Sequence, residues 1–162
     1  MTPRTVELPA LVAVVPTLAH TLAAEYLDAP AAIPTAVELA TLRAWIRAEF
    51  AQIPCPVAFQ DADLDLPAAV DRLAADGVLV ISTANIGHPW LTNAENAMFR
   101  AVHDSHHIAI GADSTLNGEI ATFAHACATA PILIHWMLRS EIVLQAAACI
   151  ATGEFQPQKF VR

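Results

Sequence analysis

Three histidines and an aspartate fall within one short stretch, and they are the side chains of this sequence best suited to chemistry. Residues 103–107 read H-D-S-H-H. In a helix His103 and His107 lie one turn apart, so a ring nitrogen of each can reach the same metal ion. Zinc enzymes use this spacing in the H-E-x-x-H motif, where the glutamate is the general base. Here the motif is H-D-x-x-H, which makes Asp104 the candidate catalytic base.

Asp104 also has a simpler interpretation. Its side chain is one methylene shorter than glutamate, and it points nearly opposite to His106 on a helix. Arg100 lies one turn earlier, and an ion pair between the two on a solvated face would contribute only a few tenths of a kcal/mol. Both roles stay open at the level of sequence.

The helix that carries these residues has clear ends. Thr92 followed by Glu95 predicts a capping box at its start, and Gly111 predicts its end. At about 100° per residue, one side of this helix is shared by a mixed set of side chains: Glu95, Phe99, His103, His106 and Ile110. The imidazoles are therefore expected beside apolar packing and not on an open polar face.

Polar side chains on two later helices could complete a metal site. Glu119 stands in the first turn of a predicted helix, where the helix dipole alone would explain a carboxylate. Glu141 interrupts a long apolar helix, and a buried carboxylate has to be protonated, paired or metal-bound because bare burial is costly. His125 is a further candidate between them.

The sequence thus predicts one interior metal site. His103 and His107 would bind a zinc, manganese or iron ion together with Glu119 or Glu141, and His125 would be an additional ligand. His88, in the loop that leads to the histidine helix, could form a wall of the pocket.

Periodicity predicts a mainly helical single domain with a small β element. Helix patterns or end signals mark six segments: 6–26, 35–50, 67–75, 92–110, 119–129 and 131–152. Pro16 makes the first of them either one kinked helix or two. Two prolines exclude helix over 53–59, whereas 78–82 is typical of a strand. These two stretches are expected to pair around the intervening helix as a β-α-β unit within residues 55–82.

The composition and net charge limit the kinds of binding partner to expect. Hydrophobic residues make up 56% of the chain and charged residues 15%. This balance indicates a real core and favours a surface partly covered by a second copy of the chain, that is, a homo-oligomer such as a dimer. The net charge is -8, and the eight basic residues are scattered without a cluster. Nucleic-acid binding is therefore not expected.

Several features favour a cytoplasmic protein outside the membrane. The three cysteines are odd in number and lack C-x-x-C spacing, which is typical of reduced, buried thiols. The N-terminus shows no convincing signal-peptide cleavage site. Residues 120–138 carry no formal charge over the length of a membrane span, but they contain two histidines and Pro131. Two short buried helices that meet at Pro131 explain this run better.

Four motifs in the C-terminal half form a recognisable pattern: F-R-A-V-H-D-x-x-H (99–107), N-G-E-I-A (117–121), S-E-I-V-L-Q (140–145) and A-T-G-E-F (151–155). The pattern resembles that of small bacterial and phage proteins to which no activity is assigned. The resemblance implies polar residues at six positions, with glutamine sometimes replacing the histidine at 125: His103, Asp104, His107, Glu119, His125 and Glu141. It implies no reaction.

Two functions from different classes follow. The first is metal-dependent hydrolysis of a small molecule, because a bound ion lowers the pKa of water toward neutrality. The second is a non-catalytic helical protein, for example a dimer, whose buried His/Glu network only fixes the packing.

Overall fold

The computed structural model describes the backbone of residues 9–162 and the side chains of residues 18–162. The architecture is mainly helical with a two-stranded sheet, as the sequence predicts. Its elements up to the last helical run are α1 (Pro9–Asp28), α2 (Ala36–Phe50), β1 (Val57–Gln60), α3 (Leu66–Asp76), β2 (Leu79–Ser82), α4 (Asn93–Ile110) and α5 (Leu116–Cys127). Helix α1 is continuous through residue 16, and its predicted start at Val6 lies outside the described residues.

The end signals read from the sequence are confirmed. Thr92 and Glu95 form a capping box at the start of α4, and the equivalent pair at the start of α2 is Thr35 with Glu38. Helix α4 ends at Gly111, whose positive φ of 65° suits a residue without a Cβ. The ends of α4 are therefore set locally, and its histidines take fixed positions along it.

The predicted β-α-β unit is also confirmed. Strands β1 and β2 pair in parallel with Val57 opposite Leu79, and α3 lies between them in the chain. Leu79 and Ile81 are buried in one cluster with Ala69 of α3 and Ala101 of α4. The sheet thus packs against α4 through this cluster, which Phe50 at the end of α2 also contacts.

The last helical run differs from the single helix predicted. It consists of a 3-10 turn (Ile132–Ile134), α6 (His135–Leu138), a π-helical segment (Arg139–Leu144, the π segment) and α7 (Gln145–Thr152). In the π segment the backbone bonds reach one residue further than in an α-helix, a geometry that is rare and frequent at functional sites. Glu141 lies in this segment.

The run Ile132–Thr152 is 21 residues long and is apolar enough to cross a membrane by length and composition alone. Of its most apolar window, 61% is buried inside the structure. This is what the central helix of a packed bundle also shows, so the run is weak support for a membrane span.

The chain after α7 is held against the core without regular structure. Phe160 is fully buried, with its ring centroid 4.9 Å from that of His88 and 5.8 Å from that of Trp136. The backbone N–H of Ala32 donates to the carbonyl of Phe160 at 2.8 Å, and that of Val161 donates to Ser140 Oγ at 2.9 Å. This anchoring brings the preceding residues beside the π segment.

Truncation of the anchoring ring should therefore be costly. Phe160→Ala is expected to lower the free energy of unfolding by about 3–5 kcal/mol, because it empties a fully buried aromatic site. Urea denaturation measures this. Phe155→Ala is the control: its residue is 51% exposed, and the change should stay within about 0.5 kcal/mol. Equal losses in the two variants would contradict an anchoring role for Phe160.

Candidate metal centre

Helices α4 and α5 bring the candidate ligands together. His103 and His107 lie one turn apart on α4, and the short connection after Gly111 leads directly into α5. Thr115 caps α5 by accepting the backbone N–H of Gly118, so that Glu119 stands in the first turn. The local sequence thus places the carboxylate of Glu119 next to the imidazoles of His103 and His107.

Three ligand atoms meet in the interior. Oε2 of Glu119 lies 2.9 Å from Nε2 of His103 and 3.2 Å from Nε2 of His107, and the two nitrogens are 3.1 Å apart. Over the part of the chain whose side chains are described, this is the one group of three histidine, cysteine or acidic side chains close enough to hold an ion. We call these three residues the His/His/Glu group.

The dimensions of the His/His/Glu group match a face of a tetrahedral site. With bond lengths near 2.0 Å, ligand atoms around tetrahedral zinc are about 3.3 Å apart. An ion about 1 Å out of the plane of the three atoms would therefore lie about 2.0 Å from each of them. The three distances therefore suit one ion.

The two histidines differ at their other nitrogen. Nδ1 of His107 is 3.3 Å from the carbonyl oxygen of Ala112, a contact that favours a proton on Nδ1 and leaves the Nε2 lone pair for a metal. Nδ1 of His103 is 3.7 Å from Oδ1 of Asp104, beyond hydrogen-bond distance. Asp104 thus lies near the Nδ1 side of His103 and not at Nε2, where the predicted general base would act.

The charges of the group depend on one another. Burial on its own would raise the pKa of the Glu119 carboxyl, but hydrogen bonds from His103 and His107 outweigh it and lower the pKa to about 2. Burial also works to lower the pKa of His103, and there too the contact with Glu119 prevails, so that the pKa is raised. Burial raises the pKa of the Asp104 carboxyl, against the opposing effect of His103.

A cavity of about 200 Å³ lies beside the group. His103 and Glu119 line it, whereas His107 is only 1% exposed and lies behind them. Glu141 and Gln158 line the same cavity from the π segment and the C-terminal tail. The predicted ligand Glu141 is therefore close by but outside the His/His/Glu group.

The structure places the other predicted ligand elsewhere. The ring of His125 packs edge-on against His106, with centroids 4.9 Å apart, and both line a separate, mainly apolar cavity of about 230 Å³. Nε2 of His106 is paired there with Glu49 of α2 at 3.2 Å. His106 and His103, expected on one side of α4, thus face different neighbours. A helix packed on several sides separates residues that a helical projection groups together.

Sequence reasoning missed Gln158 altogether. The tail that carries it has neither a helical nor a strand period, and only its buried Phe160 and Val161 signal that it returns to the core. Comparisons of the chain with protein-family models, with curated proteins and with solved structures found no match. The function proposed below therefore depends on the site itself.

The position of Glu119 relies on a close backbone approach. A Cβ added at Gly118 would lie 1.9 Å from the carbonyl oxygen of Asp113, so something has to shift. Gly118→Ala is expected to destabilise the protein by about 1–3 kcal/mol and to displace Glu119. Thermal unfolding measures this, with Gly87→Ala, whose Cβ would meet nothing within 4 Å, as the control. A Gly118→Ala protein as stable as the control would contradict this packing.

Proposed function

We propose that this chain binds a divalent metal ion through His103, His107 and Glu119 and uses it to hydrolyse a small molecule in the adjoining cavity. Zinc fits the donor set of two imidazoles and one carboxylate, and manganese and iron are the alternatives. The observation that supports the proposal most is the triangle of ligand atoms with edges of 2.9, 3.1 and 3.2 Å.

An ion would satisfy the three converging atoms as directly as a hydrogen-bond network. Without an ion, the Nε2 atoms of His103 and His107 share Oε2 of Glu119 and lie 3.1 Å from each other, so these contacts require at least one proton among the three atoms. A metal ion would take the place of such a proton and bind the lone pairs of both rings.

The surroundings favour catalysis over a structural role for the ion. Structural zinc sites are closed by four protein ligands, whereas catalytic sites have three and keep a position open. Here the described residues supply three, and two of them, His103 and Glu119, line the cavity. When bound, the ion would supply a water that ionises near neutral pH. The Ala112 carbonyl would keep the ring of His107 oriented.

The alternative is a structural network without metal. It is favoured by the distances from Glu119 Oε2 to the two rings, which also suit ordinary hydrogen bonds. In that case the group would fix how α5 packs on α4, and nothing would be hydrolysed.

Metal analysis separates the two functions. Protein incubated with zinc and then dialysed is expected to retain about one ion per chain, measured by mass spectrometry of the elements. His103→Ala, His107→Ala and Glu119→Gln should each weaken zinc binding by more than about 100-fold, since even outer partners of metal ligands contribute 10–100-fold. His125→Ala, in the other cavity, is the matched control and should bind like wild type. Wild-type protein that retains no zinc would contradict the proposal.

Thermal unfolding gives a second readout for the same variants. A bound ion stabilises the folded state, so zinc should raise the Tm of wild-type protein and leave that of the three variants unchanged. If the three variants instead have a much lower Tm, and the Tm of the wild type changes with neither zinc nor a chelator, the group is a structural network.

Zinc binding should also depend on pH. Because the pKa of His103 is raised, its ring is protonated over a wider pH range in the metal-free protein, and the ion has to displace that proton. Affinity should therefore fall as the pH is lowered from 8 to about 6. Calorimetry in two buffers of different ionisation enthalpy measures the protons released. Binding without proton release near pH 7 would contradict this coupling.

A further inference from the structure

Glu141 is a buried carboxylate that no Arg or Lys side chain contacts as an ion pair among the described residues. Its side chain is 3% exposed, and its one ion-pair contact among the described residues is His88, whose Nε2 lies 3.3 Å from Oε1. Removing a carboxylate from water costs several kcal/mol unless a positive charge compensates it. The state of His88 therefore decides whether Glu141 is neutralised within the protein.

His88 is held in a neutral form. Its Nδ1 accepts the backbone N–H groups of Trp90 at 3.0 Å and of Leu91 at 3.1 Å. A nitrogen that accepts hydrogen bonds carries no proton, so the ring proton is on Nε2. His88 thus donates a hydrogen bond to Glu141 but brings no charge.

The second contact of Glu141 is neutral as well. Asn96 Nδ2 donates to Oε1 of Gln158 at 2.8 Å, which fixes the orientation of the Gln158 amide. Nε2 of Gln158 therefore points to Oε2 of Glu141, at 3.4 Å. Both carboxylate oxygens receive donors, and a protonated carboxyl group would have no acceptor among these contacts. Glu141 thus acts as an acceptor through both oxygens.

Arg100 lines the same cavity but does not contact Glu141 as an ion pair. Its guanidinium donates to the carbonyl oxygens of Ser82, Ala84 and Asn85, and its charge acts on Glu141 only at a distance. Each oxygen of Glu141 still has a lone pair free for a further donor. An ammonium group of a ligand in the cavity can therefore make the direct charged contact that the protein does not supply.

We infer that the cavity binds small primary ammonium compounds, with the ammonium group on Glu141 and the apolar part against Phe99, Ile142 and Phe155. The volume of about 200 Å³ exceeds that of a cavity of about 150 Å³ that binds benzene, so a ring with a short aminoalkyl arm fits. Phe155 is half exposed at this cavity and offers an aromatic face to a cation. As a substrate class, this inference rests on the proposed hydrolysis: an ammonium on Glu141 would place a neighbouring ester or amide beside the His/His/Glu group.

Two probes of equal size test the inference. Benzylamine, protonated at pH 7, and neutral benzyl alcohol have the same number of non-hydrogen atoms. In NMR titrations, wild-type protein should bind benzylamine at least 10-fold more tightly and show shifts at the side-chain amide of Gln158. Glu141→Gln should abolish the preference without changing the zinc content. Glu49→Gln, which alters the carboxylate of the other cavity, should keep it.

The preference is measured with zinc and after its removal by a chelator, which separates this inference from the metal site. It should persist without zinc, because it depends on Glu141, and it is then supported even if no zinc binds at all. If the preference for benzylamine is lost when zinc is removed, the amine binds the ion itself, and the inference is overturned.

Three further results would overturn the inference that the cavity binds ammonium compounds. Equal binding of the two probes to wild-type protein overturns it, as does a preference that survives Glu141→Gln or a loss of zinc in that variant. If Glu141→Gln does not fold, Ala146→Phe replaces it: a ring that fills the cavity from α7 should weaken benzylamine binding by at least 10-fold. Unchanged binding in this variant would place the ligand elsewhere and overturn the inference.

Discussion

The meeting of two imidazoles and one carboxylate between α4 and α5 is the interaction on which the rest of the site depends. Donor atoms lie within 3.2 Å of one another where little water can screen them. Such closeness persists only where the surroundings fix it. The capped start of α5, the lack of a side chain at Gly118 and the Ala112 carbonyl behind the ring of His107 provide that constraint.

The same cavity joins two kinds of carboxylate. Glu119 is compensated by the imidazoles that it contacts, whereas Glu141 is held by neutral donors alone. Under the proposals made above, a cation would be accommodated differently at the two walls: an ion between side chains at one, a charged group of a ligand at the other. The ligand would then be held at one end of the cavity and would react at the other.

The parts of the fold that short-range rules govern could be predicted. Capping pairs, terminal glycines and the i, i+4 spacing of His103 and His107 are local, and the paired strands follow from a short helical connection. The sequence also pointed to Glu119, although its place in a first turn had an ordinary explanation. His125 could not be assigned, because its direction depends on how α5 packs against α4. Gln158 could not be found, because a tail without periodicity gives no signal of where it returns.

The π segment has a consequence for how the chain tolerates change in length. One loosely wound turn acts like an inserted residue, so the helix beyond it is rotated by about 100° relative to a regular continuation. Deleting one residue between 139 and 144 would let the backbone return to ordinary winding while α6 and α7 keep their hydrogen bonds. The hydrogen bonds of the helix would survive, but the side chains on one side of the deletion, those around Glu141 or those of α7, would be rotated relative to the cavity that both line.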